Sequence, residues 1–217
     1  MSAAALFDMD RTLVREATVG LYVRYLRARG GARWCDSARV LWWLAQYTLG
    51  VVDAPRVVAR ALASLEGMHE TVLSARCDDW FRRDVERHVS DAGRRAVAAH
   101  RARGDVVAIV TGASPYFARP LARRLDIEHV VATELEVGAD GRFTGRLSEP
   151  LCYGRGKLAR TRALAGRLGF RVDESTFYSD SYTDLPLLEA VRTAVAVNPD
   201  PRLAAVARRR GWRVERW

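Results

Sequence analysis

The fold of this chain is decided by the stretch Ala3-Ala4-Ala5-Leu6-Phe7-Asp8-Met9-Asp10-Arg11-Thr12-Leu13-Val14, where a strand-like apolar run leads directly into two carboxylates. An open α/β sheet carries its chemistry just beyond the carboxyl ends of its strands, which is where Asp8 and Asp10 would lie. An ionised aspartate can attack phosphorus without a separate base, because its ordinary pKa of about 3.9 leaves it deprotonated at neutral pH. The same pattern is also typical of residues that cap a helix, here one beginning near Leu13.

Two later segments bring further polar groups to the ends of predicted strands. The apolar run Val106-Val107-Ala108-Ile109-Val110 ends in Thr111-Gly112-Ala113-Ser114, whose hydroxyl and backbone N–H groups can hold a phosphoryl oxygen. The run Thr176-Phe177-Tyr178-Ser179 predicts another strand, and Asp180 and Asp184 follow it. We therefore expect four acids and a phosphate-binding turn at one edge of a sheet.

Lys157 stands out because it is the only lysine among 35 basic residues. It lies in Gly154-Arg155-Gly156-Lys157, at the start of a helical pattern that closes at Gly169. Because arginine serves at every other basic position, this position favours a compact and mobile ammonium. A nucleotide-binding P-loop is excluded, since it needs a glycine and a Ser or Thr where this chain has Leu151 and Leu158.

The order of these motifs, Asp-x-Asp-x-Thr, Thr-Gly, Lys and Asp-x-x-x-Asp, resembles that of the haloacid dehalogenase-like phosphohydrolases. The resemblance implies an α/β fold, a Rossmann-like three-layer core with a mostly parallel sheet. It also implies a helical (C1-type) cap inserted after the first strand, over residues 15–91, with the core at 1–14 and 92–217. Helical spacing of apolar residues such as Val19, Tyr22 and Leu26 agrees with such an insertion.

Further strands are predicted in the second half of the chain. Residues 135–137 and 142–144 flank Ala139-Asp140-Gly141 and favour a small hairpin. Residues 194–197 and 212–214 are expected to complete the sheet.

The family resemblance assigns a role to each motif residue. Asp8 is implied as the nucleophile, Asp10 as the general acid and base, and Lys157 as a charge-stabilising and phosphate-binding residue. Thr111 and the Gly112 amide are implied to bind the phosphoryl group. Mg²⁺ is implied as the cofactor, held by the following acids: Asp8, Asp10, Asp180 and Asp184. Arg11, inside the first motif, is a further candidate for reaching the substrate, with a solvent-facing or cap-pairing role as the alternative.

These roles describe a Mg²⁺-dependent phosphomonoester hydrolase that acts through an aspartyl-phosphate on a small phosphorylated metabolite. Three carboxylates alone would repel a phosphate, whereas Mg²⁺ and Lys157 supply three positive charges against them. Asp8 is expected to attack in line while Asp10 protonates the leaving alkoxide and later activates water.

Within the family, the chain is most similar to the branch that includes phosphoserine phosphatases (subfamily IB). It departs from that branch at the substrate end. Ala17 stands where those enzymes carry a cap glutamate, with Glu16 one residue earlier. The Gly-Gly-Phe of the second motif is replaced by Gly112-Ala113-Ser114, and Thr183 replaces an asparagine. The physiological ester is therefore left open.

An alternative substrate is suggested by the apolar segment at residues 40–52, which Arg39 and Arg56 flank. The segment is shorter than the roughly 20 apolar residues of a membrane span, but it can lie at a membrane interface. The protein would then act on a phospholipid head group, as the phosphatidylglycerophosphate phosphatases of the subfamily do. Packing within the cap or against a partner subunit is the simpler interpretation of the segment.

The net charge of +9 and the sequence pI of about 10.2 raise the alternative of a basic nucleic-acid or anion-binding module with a degenerate site. Arginine is spread through every segment, however, which favours a generally basic surface that attracts anionic substrates. Three widely spaced cysteines, Cys35, Cys77 and Cys152, predict neither a disulfide framework nor a zinc site. With no signal-peptide pattern, we expect a cytoplasmic protein. Oligomeric state is not predicted.

Overall fold

The computed structural model of the chain describes residues 3–29 and 65–217. Its strands are β1 (Ala4–Phe7), β2 (Val106–Val110), β3 (His129–Val131), β4 (Leu135–Val137), β5 (Phe143–Leu147), β6 (Thr176–Ser179), β7 (Thr193–Val197) and β8 (Arg213–Glu215). Six of them form one sheet in the order β3-β2-β1-β6-β7-β8, in which every neighbouring pair is parallel. The strands β4 and β5 form a separate antiparallel ribbon.

Successive residues of each strand point to opposite faces of the large sheet. Residues of both kinds are buried, so the sheet has an apolar cluster on each face. Phe7 and Ile109 belong to one apolar cluster, whereas their neighbours Leu6 and Ala108 belong to another. Strands buried on both faces are near-continuous apolar runs, as in the opening stretch. The predicted three-layer α/β fold with a mostly parallel sheet is confirmed.

The described residues include seven α-helices: α1 (Thr18–Ala28), α2 (Glu70–Trp80), α3 (Asp91–Ala102), α4 (Pro115–Arg124), α5 (Arg155–Leu168), α6 (Leu185–Leu188) and α7 (Pro201–Arg210). Pro115 and Pro201 occupy first helical positions, where the missing N–H removes no hydrogen bond. Gly169 ends α5 with φ 74, a left-handed conformation that favours glycine, so the predicted end of that helix is confirmed.

The polypeptide between β1 and β2 is helical where it is described, as the sequence predicts. A π-helical turn (Phe81–Val85) and a 3₁₀ turn (Glu86–His88) continue α2 toward α3. Leu21 of α1 and Trp80 of α2 pack in the same buried cluster as Phe7 of β1. The described helices of this insertion therefore share a core with the sheet.

The division into a core (1–14 and 92–217) and a cap (15–91) stays a prediction. The apolar segment 40–52 lies outside the described residues. In the part of the chain that is described, no helix has the length and apolarity needed to span a bilayer.

The structure differs from the sequence prediction in three details. The hairpin is present as β4 and β5, although β5 extends to Leu147. The strand β3 was not predicted, because three residues are too few to give a periodic signal. A helix starting near Leu13, the alternative explanation for Asp8 and Asp10, is wrong: the first helix begins at Thr18.

The strand order creates a crevice for the site. From β1 the chain continues outward through β2 and β3, whereas β6 is followed by β7 and β8 on the other side. The order reverses between β1 and β6, and in open α/β sheets ligands bind at the carboxyl ends of strands at such a point. Asp8 directly follows β1 and Asp180 directly follows β6.

Candidate active site

Asp8 is held at the reversal point by the backbone of both central strands. Its N–H donates to the carbonyl of Tyr178 at 2.9 Å, which extends the pairing of β1 with β6 by one residue. The chain then turns sharply, with Arg11 at φ 51, and the Val14 N–H donates to the Met9 carbonyl at 2.9 Å. Asp8 is only 6% exposed, so its carboxyl group is buried at the edge of the sheet.

Asp10 is fixed by the start of α1 rather than by its own strand. The Thr18 N–H donates to Asp10 Oδ1 at 2.5 Å, and the N-cap residue Ala17 offers no side-chain acceptor of its own. A carboxylate at a helix N-terminus also meets the positive end of the helix dipole. Burial raises the pKa of Asp10, while the hydrogen bonds from Thr18 act in the opposite direction. A carboxyl with a raised pKa suits proton transfer near neutral pH.

Two glycines explain how Lys157 reaches the site. Gly154 has φ 53 and ψ −123, a backbone conformation that residues with a Cβ rarely adopt. A Cβ at Gly156 would lie 1.9 Å from the carbonyl oxygen of Leu151, so only glycine allows that close approach. Lys157 follows at once, in the first turn of α5, and is 3% exposed.

The Lys157 ammonium contacts two acids, one directly after β1 and the other in a 3₁₀ turn after β6. Its Nζ atom donates to Asp8 Oδ1 and to Asp184 Oδ2, both at 2.6 Å. Burial alone lowers the pKa of Lys157, but the charges of Asp184 and Asp8 more than offset this and hold it well above the ordinary value. The lysine is therefore a permanent cation, which suits it to stabilise charge rather than to transfer a proton.

Burial is also the largest influence on the pKa values of Asp8 and Asp180, the acids that directly follow β1 and β6. It raises the pKa of Asp8 to about 7, with Lys157 opposing the shift and Asp184 adding to it. It raises the pKa of Asp180 to about 9, and the nearby charge of Asp8 adds to that shift. Among the described residues, no group donates a hydrogen bond to the Asp180 carboxylate. The site thus holds three buried acids and one lysine, and the crowding of the acids is part of what raises the pKa of Asp180.

Thr111 directly follows β2 at the same edge of the sheet and is 1% exposed. Its N–H donates to the Val131 carbonyl at 2.9 Å, and its Oγ1 accepts from the Ala113 N–H at 3.2 Å. Gly112 is exposed between them. Ser114, the N-cap of α4, is buried, and its Oγ has no hydrogen-bond partner among the described residues. The turn is compact and polar, as phosphate binding would require.

The structure brings Asp8, Lys157 and Asp184 into direct contact, and it places Asp180 close enough to feel the charge of Asp8. Arg11 differs from these residues because its side chain is exposed. The Arg11 carbonyl, rather than its guanidinium, has a described partner, the Asn198 side chain. The individual roles of all predicted site residues, Arg11 included, stay predictions.

The acids of the site could supply some of the oxygen ligands that Mg²⁺ needs, but not all of them. In residues 3–29 and 65–217, no three or more His, Cys, Asp or Glu side chains are arranged as a ready metal site. Lys157 contacts Asp8 Oδ1 and Asp184 Oδ2, and none of the described hydrogen bonds engages Asp8 Oδ2 or the Asp180 carboxyl group. Mg²⁺ prefers oxygen ligands and commonly takes one or two carboxylates together with waters and a substrate phosphate. The donor set therefore suits Mg²⁺ bound together with a phosphate ester.

Two supporting residues were missed by sequence reasoning. Ser179 donates its Oγ proton to Asp184 Oδ2 at 2.7 Å, and Thr18 holds Asp10. Ser179 was assigned only to the strand, although its position directly before Asp180 places its side chain at the site. The contact of Thr18 could not be predicted from a sequence pattern, because its partner Asp10 precedes it by eight residues in an irregular loop.

Comparison with known proteins agrees with this geometry. The family model described as haloacid dehalogenase-like hydrolase matches residues 5–189. The chain is 37% identical to phosphoserine phosphatase SerB1 of Mycobacterium tuberculosis, over 99% of this chain and 70% of that protein. It is 28% identical to histidinol-phosphatase of Neisseria meningitidis, over 99% and 98% of the two chains.

A solved structure of a protein of unknown function from Bordetella pertussis Tohama I has the same fold, with a TM-score of 0.89 and 31% identity. The match covers 99% of this chain and 98% of that one. Family membership, predicted above from four motifs, is thus confirmed. The chain belongs to the haloacid dehalogenase-like hydrolases and is similar within them to phosphatases.

Proposed function

We propose that the protein is a Mg²⁺-dependent phosphomonoesterase that acts through an aspartyl-phosphate on Asp8. The observation that carries this proposal is the contact of the sole lysine with Asp8 and Asp184, beside Asp180, which adds a third buried acid to the same site. A structural salt bridge would match its charges, because burying an unpaired carboxylate is costly. One ammonium among three buried acids instead favours a site that is completed by a cation and its phosphate ligand.

In the proposed reaction the Asp8 carboxylate attacks phosphorus and the bond to the leaving oxygen breaks. Asp10 gives its proton to that oxygen, which its raised pKa permits. Asp10 then takes a proton from water, which attacks the aspartyl-phosphate and releases inorganic phosphate. Lys157 and the Thr111-Gly112 turn hold the phosphoryl oxygens. Mg²⁺, held by Asp8 and Asp180, would supply further charge stabilisation when bound.

The substrate is proposed to be a small phosphorylated metabolite, with the insertion at residues 15–91 acting as the cap that selects it. Two kinds of support are available. Relatives of the chain are named as phosphatases of phosphoserine and of histidinol phosphate, which are both small esters. The start of α1 contacts Asp10 directly, so a movement of the insertion would reach the catalytic acid.

The experiment is an assay of p-nitrophenyl phosphate hydrolysis with Mg²⁺ and with EDTA, followed by a panel that contains O-phosphoserine, histidinol phosphate and phosphatidylglycerophosphate. We expect hydrolysis that EDTA abolishes and Mg²⁺ restores, with a small ester as the best substrate. Absence of hydrolysis for the whole panel, in a folded protein with Mg²⁺, would reject the proposal and favour a binding module. A preference for phosphatidylglycerophosphate would reject the metabolite assignment alone.

A further inference from the structure

A loop outside the four motifs, Asn198-Pro199-Asp200, contacts both acid-bearing loops of the site. It follows β7, which neighbours β6 but is separated from β1 by that strand. The Asn198 side chain nevertheless donates from Nδ2 to the Arg11 carbonyl at 2.9 Å, in the loop after β1. One loop therefore reaches across the end of β6 to the residue beside Asp10.

Asp200 makes the second set of contacts, with the loop that carries Asp180. Its N–H donates to the Asp180 carbonyl at 2.8 Å, and its Oδ2 accepts from the Tyr182 N–H at 2.7 Å. Its other oxygen, Oδ1, caps α7 by accepting from the N–H groups of Arg202 and Leu203. The two oxygens of one carboxylate thus hold two different elements.

Asn198 is itself held in place from the opposite side. Trp217 donates its N–H to Asn198 Oδ1 at 3.0 Å and accepts from Nδ2 at 3.3 Å, so the whole amide is engaged. The Trp217 ring packs against the rings of Tyr178 and Phe7, which directly precede Ser179 and Asp8. The Asn198 amide is therefore fixed in orientation when it meets Arg11.

The loop after β1 and the contacting loop after β7 each hold a residue in an unusual backbone conformation. Arg11 has φ 51 and Asn198 has φ 44, in the left-handed region that non-glycine residues adopt only when their surroundings hold them there. The hydrogen bonds of Asn198 and Asp200 with the backbones of the two acid-bearing loops hold these loops in place.

We propose that Asn198 and Asp200 are positioning residues that set the spacing of the two acid loops, Asn198 for the Asp8 and Asp10 loop and Asp200 for the Asp180 loop. The proposal rests on the proposed function for its kinetic consequences. Asn198 acts on the loop that carries Asp8 and Asp10, so it governs turnover. Asp200 acts on Asp180, so it governs Mg²⁺ affinity.

The test compares four variants. Asn198→Asp keeps the acceptor for the Trp217 N–H but loses the donor to the Arg11 carbonyl. Asp200→Asn keeps a carbonyl oxygen to cap α7 but loses the acceptor for the Tyr182 N–H. Ser175→Ala is the matched control, because it removes a side-chain to backbone hydrogen bond of 2.6 Å from a fully buried serine at the opposite end of β6. Asn198→Ala serves as a second, uncharged variant.

With p-nitrophenyl phosphate, we expect the Asn198 variants to lose about tenfold or more in kcat with little change in KM, since small misplacements of reacting groups are costly. We expect Asp200→Asn to need about tenfold more Mg²⁺ for half-saturation, measured by activity and by calorimetric titration of Mg²⁺ alone. Ser175→Ala should lower the melting temperature and leave both quantities unchanged. Variants that resemble Ser175→Ala in kcat and in Mg²⁺ affinity would overturn the proposal.

Hydrogen exchange of the metal-free proteins separates this proposal from the proposed function. Exchange in residues 8–14 should rise in both Asn198 variants, exchange in residues 179–185 should rise in Asp200→Asn, and neither should rise in Ser175→Ala. If the wild type hydrolyses no ester, the function fails while the exchange data still decide the positioning role. Unchanged exchange in the two Asn198 variants and in Asp200→Asn would overturn that role whatever the activity.

Discussion

Two ion pairs of this protein have nearly equal lengths and opposite surroundings. Lys157 Nζ lies 2.6 Å from Asp8 Oδ1 at the catalytic edge, where the side chains are 4% and 9% exposed. Arg171 Nη2 lies 2.5 Å from Asp173 Oδ2 near the other end of the sheet, where they are 51% and 61% exposed. Solvent screens the second pair, whereas the first has lost its hydration and has other acids beside it. Surroundings, not distance, therefore decide what an ion pair does.

The two ion pairs also use different basic residues, lysine in the buried pair and arginine in the exposed pair. The exposed pair uses the planar fork of arginine, which suits a carboxylate in water. The buried pair uses the one lysine of the chain, whose single nitrogen contacts Asp8 and Asp184 at once.

The largest effect is expected for Asp8→Asn. The variant keeps the shape of the side chain but loses the attacking carboxylate, so kcat should fall by about 10⁴-fold or more, as for other lost nucleophiles. Steady-state kinetics with p-nitrophenyl phosphate would measure this, with circular dichroism to establish that the fold is kept. A folded variant with more than a tenth of wild-type turnover would contradict the assignment.

A smaller but still large loss is expected for Lys157→Arg. The charge is kept, but the longer planar group does not fit a position where one nitrogen meets two oxygens, so kcat should fall by about 10²- to 10³-fold. The matched control is Arg171→Lys in the exposed pair, which should leave kcat unchanged. Equal kinetics for Lys157→Arg and the wild type would show that a generic cation suffices.

The stability of the metal-free protein should depend on pH because of the buried acids. The pKa of Asp8 is raised to about 7 and that of Asp180 to about 9, from ordinary values of 3.8. Between these values the folded state binds more protons than the unfolded state, so stability falls as pH rises. The melting temperature in EDTA should therefore decrease from about pH 5 to about pH 9, and Mg²⁺ should make the decrease shallower.

The control for this pH dependence is Asp180→Asn, which removes the group with the higher pKa and should flatten the curve in EDTA. A wild-type melting temperature that rises over the same pH range in EDTA would refute the account of the buried charges.

The smallest effect is expected for Asp173→Ala in the exposed pair. Because the pair is screened by water, kcat and Mg²⁺ dependence should be unchanged and the melting temperature should stay within experimental error. Thermal melts at low and high salt would measure this. A clear loss of activity would mean that the two ends of the sheet are coupled.

Much of the sheet was predictable from the sequence because its strands are continuous apolar runs that end in polar motifs. Thr176–Ser179 and Val106–Val110 have the predicted bounds. The strand β3 was missed because it is three residues long and depends on its partner β2 for definition. Propensity carries little information at that length.

The site was predictable as a set of residues and less so as a set of contacts. Lys157 could be identified because it is the only lysine in the sequence. Nothing in the sequence indicated that Asp184 would accept hydrogen bonds from that lysine and from Ser179. The contact of Asn198 with Arg11 spans 187 residues and depends on the strand order. Such contacts follow from tertiary structure, which local patterns do not encode.

The central claim is that Asp8 becomes covalently phosphorylated. The most direct measurement is acid quenching of the enzyme during turnover of a labelled phosphate ester with Mg²⁺, followed by borohydride reduction and peptide mapping. We predict reduction of one aspartate to homoserine, at Asp8, in the wild type and not in Asp8→Asn. Turnover without any trapped label, or a label on another residue, would contradict the account.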